Sequence, residues 1–86
     1  MKEEFIISTY YIIVFKNTHD AMEADKKLEK EEMNYVVMPT PTVITKSCGF
    51  CIKINNEEDI TKIQNEKIFE YKNIYLKNSE GYCLIE

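Results

Sequence analysis

Residues 10–15 read Tyr-Tyr-Ile-Ile-Val-Phe, a continuous run of β-branched and aromatic side chains. A run without polar alternation is typical of a strand that is buried on both faces. We therefore predict that this strand lies at the centre of a sheet. Directly after it, Asn17 or Thr18 can cap a helix, and Asp20 falls in the first turn, where the helix dipole favours a carboxylate.

The elements that follow are predicted from periodicity and from proline. The predicted helix ends near residues 31–32, and residues 35–38 then read Tyr-Val-Val-Met, which indicates a short strand. This strand stops at Pro39, because proline lacks a backbone donor. The apolar positions of the helix recur at helical spacing and are Ala21, Ala24 and Leu28.

The second half of the chain is predicted to form a strand, a helix and a strand. Apolar and polar residues alternate over residues 50–54, as in a half-buried strand. Residues 55–59, Asn-Asn-Glu-Glu-Asp, give a helix start with a cap and acids in the first turn, and Ile60 and Ile63 give that helix its inner face. Residues 69–76 are rich in aromatic and β-branched side chains and indicate a fourth strand.

The predicted order of elements is strand-helix-strand-strand-helix-strand. This order is that of an α+β fold of the ferredoxin-like split βαβ type, βαββαβ. We expect an antiparallel four-stranded sheet with both helices on one face. Residues 1–76 are expected to form this single domain, and residues 77–86 a C-terminal tail or a short edge strand.

The composition limits the classes of partner. The 86 residues support one small domain, and its formal charge of −4 comes from fifteen acidic residues and eleven lysines, without any arginine. Arginine makes the bidentate contacts on which phosphate and base recognition rely, so we expect no nucleic-acid partner. The acidic balance also argues against binding to an anionic membrane surface.

The cysteine count and the start of the chain indicate the compartment. Three cysteines are an odd number and do not fit the disulfide framework of a secreted domain. The first residues lack the basic start and small-residue cleavage site of a secretory signal, and the apolar run at residues 5–15 is too short to span a bilayer. We therefore expect a reducing, cytoplasmic location.

Residues 39–49 form a long connection that reads Pro-Thr-Pro-Thr-Val-Ile-Thr-Lys-Ser-Cys-Gly. Long connections in compact domains are often functional, and Gly49 permits a positive φ or a close approach by another group. The predicted topology opens this loop at the end of the sheet where the first helix begins, beside His19. The positive end of a helix lowers the pKa of a nearby thiol, and Lys46 acts in the same direction. Cys48 is therefore a candidate nucleophile.

Each candidate also has a simpler interpretation. Cys48 could be a small, partly buried apolar residue, and His19 an exposed residue of the first helical turn. Residues 48–51 spell Cys-Gly-Phe-Cys, but three residues of strand span about 10 Å, beyond the roughly 7 Å that separates bridged Cα atoms. Zinc needs four ligands, and three cysteines with one histidine, without a second paired motif, are a weak set. Cys83, in the tail, is expected to take no part.

Three short motifs, taken together, are similar to those of one family. They are Pro-Thr-Pro at residues 39–41, Ser-Cys-Gly at residues 47–49 and Thr-His-x-Ala at residues 18–21. On these motifs the chain resembles, over residues 10–75, the small family of selenium/sulfur carrier-like proteins. The resemblance implies that Cys48 is the carrier cysteine. The chain departs from the family pattern at Thr42, where a basic residue is usual, and at Cys51, which is an addition.

The principal hypothesis is therefore a carrier. The Cys48 thiolate accepts a sulfur or selenium atom as a persulfide or selenopersulfide and passes it on, with Ser47, Gly49 and His19 beside it. Such a chain is a carrier rather than a turnover catalyst, requires no cofactor, and binds sulfur- or selenium-donor and acceptor proteins. One alternative is a small module that binds a ligand or forms a homodimer through its open sheet face. Another is a redox or metal protein that uses Cys48 and Cys51.

Overall fold

The computed structural model describes residues 9–45 and 49–86. Within these ranges the chain forms five strands and two helices. In chain order they are β1 (Tyr10–Val14), α1 (Thr18–Lys30), β2 (Val36–Pro39), β3 (Phe50–Ile54), α2 (Glu57–Glu66), β4 (Asn73–Asn78) and β5 (Gly81–Leu84). The predicted α+β class is confirmed.

Both helices begin at an asparagine side chain. The Asn17 Oδ1 atom accepts a hydrogen bond from the Asp20 N–H at 2.8 Å, and the Asn56 Oδ1 atom accepts one from the Glu58 N–H at 2.8 Å. Each cap gives a partner to one of the N–H groups that the start of a helix leaves unbonded. Of the two residues that the sequence left open as the cap of α1, the structure uses Asn17.

The strands form one antiparallel sheet in the order β2-β3-β1-β4-β5, with β1 at its centre. Ile13 of β1 stands opposite Ile52 of β3 on one side and opposite Ile74 of β4 on the other. The central place of β1 agrees with its continuous apolar sequence. The described residues form five strands where the predicted sheet had four, because β5, within the residues expected to form a tail or a short edge strand, pairs with β4.

The hairpin between β4 and β5 depends on two local features. The Asn78 Oδ1 atom accepts a hydrogen bond from the Glu80 N–H at 2.8 Å, which fixes the turn. Gly81 has a φ of 130°, a backbone conformation that side chains with a Cβ rarely adopt. The asparagine and the glycine thus turn the chain back along β4.

Both helices pack on the same face of the sheet. Alternate residues of β1 and β3 point to this face, and they meet the apolar stripes of α1 and α2. The resulting core contains Ile13, Phe15, Ala21, Ala24, Leu28, Ile52, Ile54, Ile60, Ile63, Phe69 and Ile74, each less than a tenth exposed. The helical stripes predicted from sequence supply Ala21, Ala24, Leu28, Ile60 and Ile63 to this list.

The opposite face of the sheet has a smaller core of its own. Ile12, Val14 and Cys51 are at most 1% exposed there, although no helix covers them. Side chains of the same chain pack over these three residues, and they are Tyr10, Met38, Ile44, Tyr75 and Tyr82. The Lys53 ammonium lies 4.4 Å from the Tyr10 ring centroid, and the Lys77 ammonium lies 5.4 Å from that of Tyr82.

The fourth strand was predicted over residues 69–76 but runs from Asn73 to Asn78. Phe69 and Tyr71 precede it in the connection from α2, where Phe69 packs against Phe15 with ring centroids 5.9 Å apart. The aromatic residues that suggested a strand therefore cover the end of the core instead. Neither helix in the described part of the chain is long and apolar enough to cross a membrane.

The Glu86 side chain is tied to α2 and to the connection between α2 and β4. Its carboxylate accepts hydrogen bonds from the Tyr71 hydroxyl at 2.6 Å and from the Gln64 amide at 2.8 Å. These two bonds, in that order, lower the pKa of Glu86 below its ordinary value of 4.5. Burial, followed by the bond to Glu86, raises the pKa of Tyr71 to about 12.

The lowered pKa of Glu86 predicts a pH-dependent contribution to stability. A carboxyl whose pKa falls on folding stabilises the fold above its unfolded pKa, and this stabilisation is lost as the pH falls through the folded value. We expect Glu86→Gln to lower the free energy of unfolding at neutral pH, and the difference from wild type to disappear in acid. Urea unfolding of both proteins over a pH series measures this difference in the free energy of unfolding. The control Glu80→Gln, in the exposed turn, should show no such difference, and a Glu86→Gln deficit that persisted in acid would contradict the prediction.

Candidate functional site

The connection between β2 and β3 is closed at its base by the main chain. Pro39 stands opposite Phe50 at the end of the ladder, and the Thr40 N–H donates a hydrogen bond to the Gly49 carbonyl at 3.1 Å. We call this hydrogen bond, with the two residues that make it, the loop neck. Beyond the loop neck, the N–H groups of Ile44 and Thr45 donate to the Pro41 carbonyl at 3.0 and 3.4 Å, which forms a turn. Thr40 and Gly49 thus mark where the long connection leaves the sheet and returns to it.

The loop neck lies at the end of the sheet where α1 begins. Val14, the last residue of β1, stands opposite Cys51, one residue beyond the first residue of β3. The chain leaves β1 at this same end and enters α1 at Thr18. The loop and the positive end of the α1 dipole therefore share one end of the sheet.

Cys48 and Ser47 lie outside the described residues, as does Lys46. The other two residues predicted for the site, His19 and Gly49, are described. His19 is in the first turn of α1 and is exposed to solvent. Gly49 is exposed, forms the loop neck with Thr40 and directly precedes β3. Both are thus at the end of the sheet that the topology predicted for them.

The structure gives Gly49 neither of the special roles that a glycine can have. Gly81, and not Gly49, is the glycine with a positive φ in the described part of the chain. A Cβ atom placed on Gly49 would have no described atom within 4 Å beyond its two chain neighbours. Gly49 can still keep its chain neighbours accessible, because a residue without a side chain leaves the space beside them open.

Thr40 is a feature of the loop neck that sequence reasoning did not single out. Thr40 is 9% exposed, yet its Oγ1 atom has no hydrogen-bond partner among the described residues. A buried hydroxyl without a partner costs about 1–3 kcal/mol in desolvation, so such atoms are rare in folded domains. The sequence signal was the placement of a hydroxyl residue between two prolines, but its burial could be known only from the fold.

Cys51 is held in the small core of the second sheet face. It is fully buried, and its Sγ atom donates to the Pro39 carbonyl at 3.8 Å. As the alternation predicted, it faces away from Ile52, which belongs to the core under the helices. Cys83 is an exposed thiol of β5. Burial of Cys51 argues against reaction of its sulfur with a second protein.

A metal site is not seen among the described residues. Residues 9–45 and 49–86 contain no group of three or more histidine, cysteine, aspartate or glutamate side chains that could hold a metal ion. The described features are instead a loop closed at its base, a helix start at the same end of the sheet and a buried hydroxyl without a partner. They define a small α+β domain whose candidate site is a loop.

Comparison with known families gives the class of protein. The sequence profile of the family described as "Putative Se/S carrier protein-like" matches residues 10–76, which is most of the chain. The chain belongs to this family. No curated protein and no solved structure matches it. The resemblance seen in the sequence motifs is thereby confirmed at the level of the family.

Proposed function

We propose that this protein carries sulfur or selenium on Cys48 between a donor and an acceptor protein. Membership of the selenium/sulfur carrier-like family is the observation on which the proposal rests. The exposed start of α1 and the closed loop at the same end of the sheet support it, because they bring a positive dipole end near the base of the loop that contains Cys48. The protein acts as a carrier and not as a turnover catalyst.

Loading is an exchange between a thiolate and a persulfide, and it consumes no external oxidant or reductant. The Cys48 thiolate attacks the terminal sulfur of a persulfide on the donor. A new S–S bond forms on Cys48, the S–S bond of the donor breaks, and the donor cysteine leaves as a thiolate that takes up the proton lost by Cys48. With a donor selenopersulfide, the transferred atom is selenium and the new bond is S–Se. Delivery to the acceptor follows the same steps with Cys48 as the leaving thiolate.

The residues around the loop support particular steps of this exchange. The start of α1 stabilises the anionic form of a thiol at this end of the sheet, which increases the fraction of thiolate. His19 is exposed there and is suited to accept and return the proton. Gly49 leaves space beside Cys48 for the approach of a second sulfur atom. Ser47, the other chain neighbour of Cys48, completes the set of residues that we assign to the site.

A substitution at Thr40 tests separately whether the loop neck takes part in holding the transferred atom. The buried Thr40 hydroxyl has no partner among the described residues, and we propose that it donates a hydrogen bond to the transferred chalcogen. Thr40→Val keeps the shape of the side chain and removes the hydroxyl. We expect the free energy of unfolding to stay unchanged or to rise by about 1 kcal/mol, because the desolvated hydroxyl is removed.

The loaded form of Thr40→Val should in contrast lose its persulfide faster than wild type, as measured by intact mass over time. The control Thr61→Val removes an exposed hydroxyl of α2 and should not change that rate. Equal lifetimes of the persulfide in wild type and Thr40→Val would remove Thr40 from the site.

The proposed function is tested by intact mass spectrometry after incubation with a cysteine desulfurase and cysteine. We expect a reducible gain of about one sulfur atom in wild type and its complete loss in Cys48→Ser. Cys83→Ser is the matched control, since Cys83 is an exposed thiol away from the loop. A gain that survived in Cys48→Ser, or that vanished only in Cys83→Ser, would refute the carrier role of Cys48.

The order of the first four strands supports a finer assignment of the fold. The arrangement β2-β3-β1-β4, with both helices on one face, is that expected of a ferredoxin-like split βαβ pair, to which β5 is an addition. The alternative of a module that dimerises through the open sheet face has less support. Side chains of the same chain already bury the three residues at the centre of that face.

A further inference from the structure

Exposed apolar side chains gather at one edge of the sheet. Among the described residues, seven large apolar side chains are exposed, and five of them lie on β2, on α1, in the loop between β2 and β3 or at the start of β3. These five are Met22, Val36, Val37, Val43 and Phe50, with exposed fractions between 43% and 80%. Single exposed apolar residues are ordinary, but three of these five, Met22, Val37 and Phe50, line one groove, and a contiguous apolar surface marks an interaction site.

Part of this cluster forms a groove between α1 and the β2 edge. The groove has a volume of about 250 Å³ and is lined by Ala21, Met22, Asp25, Val37 and Phe50. We call it the β2 groove. Its lining is apolar except for the Asp25 carboxylate, which accepts a hydrogen bond from the Tyr35 hydroxyl. The β2 groove therefore presents one negative charge beside an apolar surface.

The strand beside the β2 groove has an edge that is open to pairing. Among residues 9–45 and 49–86, β2 is the terminal strand of the sheet and pairs with β3. Alternate backbone N–H and C=O groups of such a strand point away from the sheet. Lysine side chains often protect exposed edges, but β2 reads Val-Val-Met-Pro and has none. Its proline stands at the end next to the loop neck.

We propose that the β2 groove docks an extended segment of the partner protein of the carrier. The segment adds to the sheet as a strand beside β2, places alternate apolar side chains in the groove and directs a lysine or arginine toward Asp25. This inference rests on the proposed function, because it brings the partner alongside Pro39 and hence to the loop neck. The docked segment thereby positions the partner's reacting cysteine at the loop.

Charge favours such a partner over a second copy of this chain. Two copies joined by antiparallel pairing of their β2 strands would have a two-fold axis between the strands, and their α1 helices would flank it. The two Asp25 carboxylates would then lie on the same side of the joint sheet, while β2 offers no basic side chain to meet either of them. The β2 strand of a second copy brings only Val-Val-Met-Pro beside the groove, whereas a foreign strand with a basic residue brings a positive charge to Asp25 directly.

Docking is tested by nuclear magnetic resonance titration of the full chain with a short synthetic peptide. The peptide alternates valine and threonine around a central lysine, and a matched peptide has glutamate in place of the lysine. We expect shifts at residues 21–25, in β2 and at Phe50, and about three- to fivefold tighter binding of the lysine peptide, the range of an exposed ion pair. Asp25→Asn, which keeps an acceptor for Tyr35, should abolish this preference.

A matched pair of variants locates the binding. Met22→Glu adds a charge to an exposed helical position in the groove and should weaken binding at least about tenfold, as loss of an apolar anchor does. Leu84→Glu adds the same charge to a similarly exposed residue of the opposite edge strand and should leave binding unchanged. Shifts centred on β5, no shifts at millimolar peptide, or a concentration-dependent dimer joined through β2 would each overturn the proposal.

Sulfur loading on Cys48, measured separately on the same wild-type protein, distinguishes this inference from the proposed function. Peptide binding in the β2 groove without any loading would refute the carrier and leave a strand-docking site. Loading without peptide binding would refute the docking site and leave the carrier.

Discussion

Replacement of Phe15 by alanine is expected to lower the free energy of unfolding by about 3–5 kcal/mol, as for other large aromatic side chains removed from a core. Phe15 directly follows β1 and is fully buried, and its ring packs against that of Phe69. Alanine leaves a cavity at the junction of the sheet, α1 and the connection that follows α2. Since small domains have a total stability of roughly 5–15 kcal/mol, this single change removes a large part of it.

Urea unfolding followed by circular dichroism measures this loss for Phe15→Ala. Met22→Ala is the control, because Met22 is 56% exposed and its truncation should change the free energy of unfolding by less than about 0.5 kcal/mol. A Phe15→Ala variant as stable as Met22→Ala would show that the end of the core at Phe15 contributes little to the fold.

The substitution Leu28→Ala is expected to cost about 2–4 kcal/mol by the same measurement. Leu28 is fully buried and belongs to the apolar stripe by which α1 packs on the sheet. Alanine has the highest helix propensity of all residues, so the loss reports on packing and not on the intrinsic stability of the helix.

The neighbouring exposed position provides the control for this second prediction. Lys26→Ala also places alanine in α1, but on the solvent side, and should leave the free energy of unfolding within about 0.5 kcal/mol of wild type. An equal loss in both variants would mean that the helix itself, and not the contact of Leu28 with the sheet, determines the result.

The parts of the fold that the sequence predicts well are those with strong local signals. The apolar run at residues 10–15 has no polar alternation, and its strand lies at the centre of the sheet. The sequence predicts a cap at Asn17 or Thr18 and another within residues 55–59, and the structure uses Asn17 and Asn56, because a cap depends on few neighbouring residues.

The parts that sequence reasoning misplaced depend on distant contacts. Phe69 and Tyr71 suggested the start of a strand, but they lie in a connection, where the Phe69 ring packs against Phe15 and the Tyr71 ring packs against Phe69. Burial of a large aromatic ring is equally favourable in a loop and in a strand, so amino-acid composition does not distinguish a loop from a strand here. For residues 77–86 the sequence left a tail and a short edge strand open, because residues 77–81 are polar and β5 forms only by pairing with β4.

The candidate site likewise has features that local sequence predicts and features that depend on distant contacts. Motifs around Cys48 led to the family, since the residues of a short motif are adjacent in the chain. The buried hydroxyl of Thr40 and the groove beside β2 were not foreseen, because both are produced by segments that are far apart in sequence. Thr40 is buried only once the loop neck has formed, and the groove exists only between α1 and the sheet edge.

The loop neck has a consequence for the evolution of this domain. The Thr40–Gly49 hydrogen bond closes the loop at its base, directly beyond the Pro39–Phe50 pair that ends the β2–β3 ladder. Doubling the length of such a loop costs only about 0.6 kcal/mol of closure entropy. Insertions and exchanges within the loop can therefore accumulate while the scaffold is inherited unchanged, so that related chains can acquire new chemistry at this position without refolding the sheet.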